Sequence, residues 1–128
     1  MDIFEEVRKL GLPKGSYVVV GGGHLVALGI LEWDEDVDLA VSPETFETFK
    51  VRGWEQERFG DKPIIKHGIY DVGVRYGEWD LKALLKDAVW IQDIPFVNLD
   101  KLRQWKTNKA RPKDFEHLKL LDEYLART

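Results

Sequence analysis

The chain has 128 residues, 44% of them apolar and 33% charged, with a net charge of −4 and no cysteine. That length fits one domain spanning residues 1–128, and the apolar share suffices for one core. The lack of cysteine excludes disulfides and a thiolate metal site. No apolar run approaches the ~20 residues that cross a bilayer, and the start MDIFEEVRKL carries acids where a signal peptide carries basic residues. A soluble cytoplasmic protein is therefore the expectation.

The charge is unevenly spread. Residues 101–113, KLRQWKTNKARPK, hold six Lys or Arg and no acid, while acids concentrate upstream. A mildly acidic whole with one basic segment argues against general nucleic-acid coating and suits a local anion site, such as one for phosphates. The plainer alternative is the solvated face of a helix.

In chain order, DIFEEVRKL spaces Ile3, Phe4, Val7 and Leu10 as a helix does, and GLPKGS stops it. YVVV, bounded by glycines, reads as a buried strand. HLVALGIL follows Gly21-Gly22-Gly23, which favours a helix entered through a tight glycine turn. DVDLAVS reads as a strand. In SPETFETF, Ser42 serves as N-cap and Pro43 as first helical residue. GWEQERF and PIIKHG read as strands joined by a turn at GDKP. IYDVGVRYG alternates as a strand, DLKALLKDA forms a short helix and VWIQDIPFVN is extended. LDKLRQWKTNKA and KDFEHLKLLDEYLAR are helical, broken at Pro112, and the C-terminal helices over 98–127 should pack on the domain. The expected class is α/β or α+β: a small mixed sheet with helices against it.

The segment DEDVD, residues 34–38, puts four acids in five positions. Asp36 and Asp38, two apart on a strand, send their side chains to one face roughly 7 Å apart, where they can converge on one cation. Val37, Leu39 and Val41 take the opposite, buried face. Without a cation the two carboxylates would repel, and one would tend to hold its proton. Oxygen ligands with no His or Cys beside them favour Mg²⁺ or Mn²⁺ over Zn²⁺. Upstream, VVVGGGHLVAL runs a strand into a glycine turn, where backbone N–H groups can approach phosphate oxygens and a helix N-terminus adds polarity. No G-K-[ST] follows, so this is no P-loop, and the third glycine of a dinucleotide fingerprint is missing. A phosphate turn beside a divalent-metal pair makes a nucleoside triphosphate the natural ligand. Asp71, with Tyr70, Val72 and Val74 on the core side of its strand, would be a third acid if that strand neighbours the first; an exposed strand Asp is the alternative.

The order of hydrophobic strand, glycine turn, short helix and Asp-x-Asp, VVVGGGHLVALGILEWDEDVDLAV, resembles the minimal nucleotidyltransferases of the DNA polymerase β-like superfamily. The tail LRQWKTNKARPKDFEHLKLL is similar to single-domain members related to aminoglycoside and toxin-type nucleotidyltransferases. The resemblance covers roughly residues 17–121 and implies transfer of a nucleotide from a nucleoside triphosphate such as ATP to an acceptor hydroxyl, with Mg²⁺ or Mn²⁺. It assigns Gly22 and Gly23 to the triphosphate, Asp36, Asp38 and Asp71 to metal and catalysis, and Lys106, Arg111 and Lys113 to the phosphates or base. Lys113-Asp114 can equally serve as a helix cap. The acceptor implied is a protein side chain, an RNA 3′ end or a small alcohol such as an aminoglycoside. A partner chain such as an antitoxin or a HEPN-type protein could complete the site. His24, His67 and His117 show no spacing that suggests a metal. The chain departs from the pattern in lacking a Ser beside the glycines and an Arg before the acid pair, where it has Leu31 and Glu32. That keeps a second expectation open, a catalytically degenerate binding or interaction protein of the same fold. Asp34 and Glu35 read as the solvated turn.

Overall fold

The computed structural model describes residues 2–59 and 62–127. Asp2 caps α1 (Ile3–Arg8) by accepting the Glu5 N–H at 2.9 Å. β1 (Tyr17–Val20) leads through Gly21 and Gly22 into α2 (Gly23–Ala27). β2 (Val37–Val41) follows, then α3 (Pro43–Val51), whose N-cap Ser42 accepts from the Thr45 N–H at 3.1 Å with Pro43 opening the helix. Three strands come next: β3 (Gln56–Phe59), β4 (Lys62–His67) and β5 (Tyr70–Gly73). The expected turn at GDKP begins at Gly60 and Asp61, which lie outside the described residues; Lys62 and Pro63 already belong to β4. A small hairpin, β6 (Arg75–Tyr76) and β7 (Trp79–Asp80), precedes α4 (Leu81–Lys86). β8 (Val89–Ile91) and β9 (Ile94–Phe96) then lead to α5 (Leu99–Lys109) and α6 (Pro112–Ala126).

Seven strands form one mixed sheet in the order β3-β4-β5-β2-β1-β9-β8. β5 runs parallel to β2 and β9 parallel to β1, while β1 and β2 are antiparallel. The class is therefore the expected mixed α/β one.

Both faces of the sheet are covered. Tyr17 and Val19 of β1 join a cluster with Ile3, Val7, Phe46 and Phe49 from α1 and α3. Val18 and Val20 point the other way, into a cluster with Leu84, Leu102 and Leu121 from α4, α5 and α6. This is why all four residues of YVVV are buried: a strand covered on both sides has no polar face.

The sequence reading needs four corrections. α2 has only five residues, because Gly29 takes a left-handed φ of 76° and turns the chain after Leu28. VWIQDIPFVN is a hairpin rather than one extended segment, since Gln92 and Asp93 both adopt positive φ, 51° and 65°, as a two-residue hairpin loop requires. RYG, expected as the end of the IYDVGVRYG strand, instead opens a separate β6–β7 hairpin around Gly77 at φ 61°. Finally, the two expected C-terminal helices are present, but the break between them is made by Ala110 at a left-handed φ of 52°, and Pro112, expected in the break, is the first residue of α6. Among the described residues no helix is long and apolar enough to cross a membrane.

Candidate functional site

The register of the sheet decides where the acids go. Across the strands Val20 stands opposite Asp38, Asp38 opposite Asp71, and Asp71 opposite Lys66. β2 and β5 are neighbours, so the acids Asp38 and Asp71 meet across the two strands. Lys66 Nζ lies 3.8 Å from Asp71 Oδ1 at the exposed side. Asp36 is not on the strand. It sits one residue before Val37, exposed, with its N–H donating to Asp34 Oδ1 at 3.3 Å and its carbonyl accepting from Trp33 Nε1 at 3.0 Å. Asp34 therefore caps this turn and also lines the cleft described below, whereas Glu35 occupies the left-handed turn position at φ 65° and stays outside it.

Asp38 does not face open solvent. It shares its side of β2 with Ala40, which is fully buried in the cluster under α4–α6. Alternation told which side chains lie together, but not that helices from the far end of the chain would cover that side. The consequence is electrostatic. Burial, then the neighbouring Asp71 carboxyl, then Asp36 and Asp34, push the Asp38 carboxyl up from 3.8 to about 7. Burial first, then Asp34 and Asp71, also raise Asp36, and Lys113 and Lys66 partly oppose this.

The glycine turn lies against Asp38. Gly21 is at φ 69°, and a Cβ there would stand 2.6 Å from Asp38 Oδ2, so only glycine allows the turn to meet the carboxylate. Gly22 and Gly23 also line the cleft. Gly23 has a packing reason as well, because its Cβ would lie 2.6 Å from Val19 Cγ1 and 3.1 Å from Ile3 Cδ1. A five-residue α2 adds little of the expected dipole. His24 is a core residue, 1% exposed, donating through Nδ1 to the Val97 carbonyl at 2.6 Å.

The opposite wall comes from α5 and α6. Asp114, fully buried, accepts from Arg111 Nε at 2.7 Å, from Arg111 Nη2 at 3.1 Å, from the Arg111 backbone N–H at 3.1 Å and from Lys106 Nζ at 3.3 Å. Burial alone would raise its pKa, but these donors hold it at about 2. It is the helix cap foreseen for Lys113-Asp114, and a charge anchor too. Lys106, 3% exposed, also donates to His117 Nδ1 at 2.8 Å. A nitrogen that accepts from an ammonium is unprotonated, so His117 is neutral here and carries its proton on Nε2; burial first and the Lys106 charge second lower its pKa. Two cations against one buried anion leave this wall positive.

These walls enclose a cleft of about 720 Å³. It is lined by Gly22, Gly23, Asp36, Asp38, Asp71, Lys106, Arg111 and Lys113, all of them residues singled out in the sequence. It also holds residues to which the sequence assigned no role at the site: Lys66, Arg75, Tyr76, Trp105, His117, and Gly21, which was read only as part of the glycine turn. His117 had a signal, since it follows Asp114 by three residues and so shares its helix face. Tyr76 had none, because its position depends on the β6–β7 hairpin. Its ring stacks on Trp105 with centroids 4.8 Å apart, and the Arg111 guanidinium lies 5.1 Å from the Trp105 ring.

Among the described residues no three acid or histidine side chains are already gathered as a ligating group. Asp38 and Asp71 meet as a pair, with Asp36 at the rim. Such an all-oxygen set fits Mg²⁺, which is commonly bound by one or two carboxylates and completes its shell with water and phosphate oxygens. It does not fit Zn²⁺, because His117 and His24 are engaged elsewhere. Comparison with protein-family models, with curated proteins and with solved structures finds no match for this chain.

Proposed function

We propose that this chain is a metal-dependent nucleotidyltransferase that transfers a nucleoside monophosphate from a nucleoside triphosphate to an acceptor hydroxyl. The observation that carries the reading is the meeting of Asp38 and Asp71 across β2 and β5, against the glycine turn and opposite a positive wall. One end of the cleft attracts a cation and the other an anion, as a metal-bound polyphosphate requires.

In this reading Asp36, Asp38 and Asp71 hold Mg²⁺, which when bound neutralises phosphate charge and keeps the triphosphate in place. The backbone of the Gly21–Gly23 turn approaches the phosphates, and Lys106, held by Asp114 and His117, faces the negative charge of the leaving pyrophosphate. Arg111 and Lys113 extend that positive surface. Asp71 accepts the proton of the acceptor hydroxyl as its oxygen bonds to the α-phosphorus in line; the bond to the pyrophosphate oxygen breaks, and pyrophosphate leaves. A second reading, a degenerate binding protein of the same fold, draws on Glu32 and Asp34, which add negative charge to the cleft.

The test is thermal stability with ATP, GTP, CTP and UTP, each with and without Mg²⁺, together with pyrophosphate release. A ligand at a hundred times its Kd adds about 2.7 kcal/mol of stability. A Mg²⁺-dependent shift that Asp38→Asn abolishes, with pyrophosphate released only by the native chain, is the expected outcome. A shift that survives Asp38→Asn, without pyrophosphate, would favour the binding protein. No shift with any nucleotide would remove the reading.

A further inference from the structure

His117 stands where the two walls of the cleft meet. It lines the cleft from α6, and a Cβ on Gly22 would lie 4.0 Å from its Cε1, so the ring edge rests against the glycine turn. The other side of the ring is engaged, with Nδ1 accepting from the Lys106 ammonium at 2.8 Å. A nitrogen that accepts cannot carry the proton, so the neutral ring carries it on Nε2. Nε2 is bonded to Cε1, the atom next to Gly22, and among the described residues nothing accepts its N–H. Nor is it sealed in the interior: among the described residues the one buried side-chain atom without a partner is the Tyr76 hydroxyl. His117 therefore offers the cleft a reachable donor of fixed tautomer. The charges around its ring are Lys106 and Lys113 against Asp114 and Asp34, and Asp114 already accepts from Arg111 and Lys106. A free donor beside this positive wall suits an acceptor oxygen that carries negative charge.

We propose that His117 is a ligand-binding residue of this site, its Nε2–H donating a hydrogen bond to a phosphate oxygen that lies over the Gly22–Gly23 turn. The inference rests on the nucleotidyltransferase reading for the identity of that phosphate; the placement of the donor does not depend on it. Lys106 then has two roles, one toward the phosphates and one in fixing the histidine tautomer.

Two substitutions separate the two ring nitrogens. His117→Asn keeps an acceptor for Lys106 near the place of Nδ1 and has nothing at Nε2. His117→Gln instead carries an amide N–H out to the place of Nε2. Calorimetric titration of the full chain with inorganic tripolyphosphate, and with ATP plus Mg²⁺, compares both variants with the native protein. A hydrogen bond to a charged oxygen is worth roughly ten-fold or more in Kd, so His117→Asn should bind both probes at least that much more weakly. His117→Gln should recover part of the loss. Equal Kd values for ATP in the native protein and His117→Asn would overturn the inference and leave the nucleotidyltransferase reading standing. Binding by His117→Asn at least as tight as by His117→Gln would also overturn it, marking the histidine as a support for Lys106 alone. Weaker tripolyphosphate binding by His117→Asn than by His117→Gln, in a protein that binds no nucleotide, would support the phosphate contact and remove the nucleotide. Failure of the native protein to bind either probe would overturn both.

Discussion

His24 shows how one side chain ties the glycine turn to the core. It follows Gly23 directly, and its Nδ1–H is spent on the Val97 carbonyl, just past β9. Burial lowers its pKa below 6.5, and the hydrogen bond to Val97 opposes this only in part. The fold therefore resists the proton that the unfolded chain accepts near pH 6.5. Stability from this group is complete above that pH and is lost as the pH falls below it. In urea unfolding from pH 5 to 8, the native chain should lose stability toward acid relative to His24→Asn, which keeps a donor and cannot titrate. A stability difference that stays level across that range would contradict the assignment.

At the scale of elements, the α5–α6 corner is held by charge rather than by a glycine cap. Ala110 takes the left-handed conformation that glycine adopts more cheaply, and its N–H bonds to the Lys106 carbonyl at 2.9 Å. Four residues later Asp114 draws Arg111 and Lys106 together, and Arg103 pairs with Asp122 further along the two helices. Asp114 and Lys106 are almost wholly buried, so removing the anion leaves a buried ammonium unpaired. Asp114→Ala should cost about 3 kcal/mol or more. Lys106→Met together with Asp114→Ala should recover part of that loss, because no buried charge then remains without its partner; Arg111, left without Asp114, is partly exposed to water. Chemical denaturation of the two variants measures both, and a double variant no more stable than the single one would count against this account.

For the molecule as a whole, the central strands β1 and β2 contribute alternate residues to two cores, one under α1 and α3, the other under α4, α5 and α6. Neither core persists without the shared sheet, so the chain should unfold in one step. Phe49→Ala on the first face and Leu102→Ala on the second, both fully buried positions, should each cost about 3 kcal/mol. Circular dichroism and tryptophan fluorescence should still give coincident transitions in both variants. Separated transitions in either one would show that the faces unfold independently. The same sharing explains the site: the acids lie where the second core opens, between strands fixed by the first core and helices that close the cleft.

The sequence by itself determined the local elements whose signals are local. Ser42-Pro43 set the start of α3, the buried valines made β1, and alternation put Leu39 and Val41 on the side of β2 away from Asp38. It also made the residues of the cleft recognisable by type: glycines, acids, and Lys106 with Arg111. Hairpins were poorly legible, because Gln92-Asp93 takes positive φ without the glycine that usually signals it. Only the tertiary structure decided that β5 lies beside β2 and brings Asp71 to Asp38. The pairing of strands nearly thirty residues apart depends on how the whole sheet is covered, and no short-range periodicity carries that information. For the same reason the sequence shows no hydroxyl at the glycine turn, whereas in the fold one stands there on Tyr76, carried from a distant hairpin. Burial is likewise a property of the assembled layers: α5 and α6, closing over β2, turn Asp38 from an exposed acid into one that holds its proton up to about pH 7.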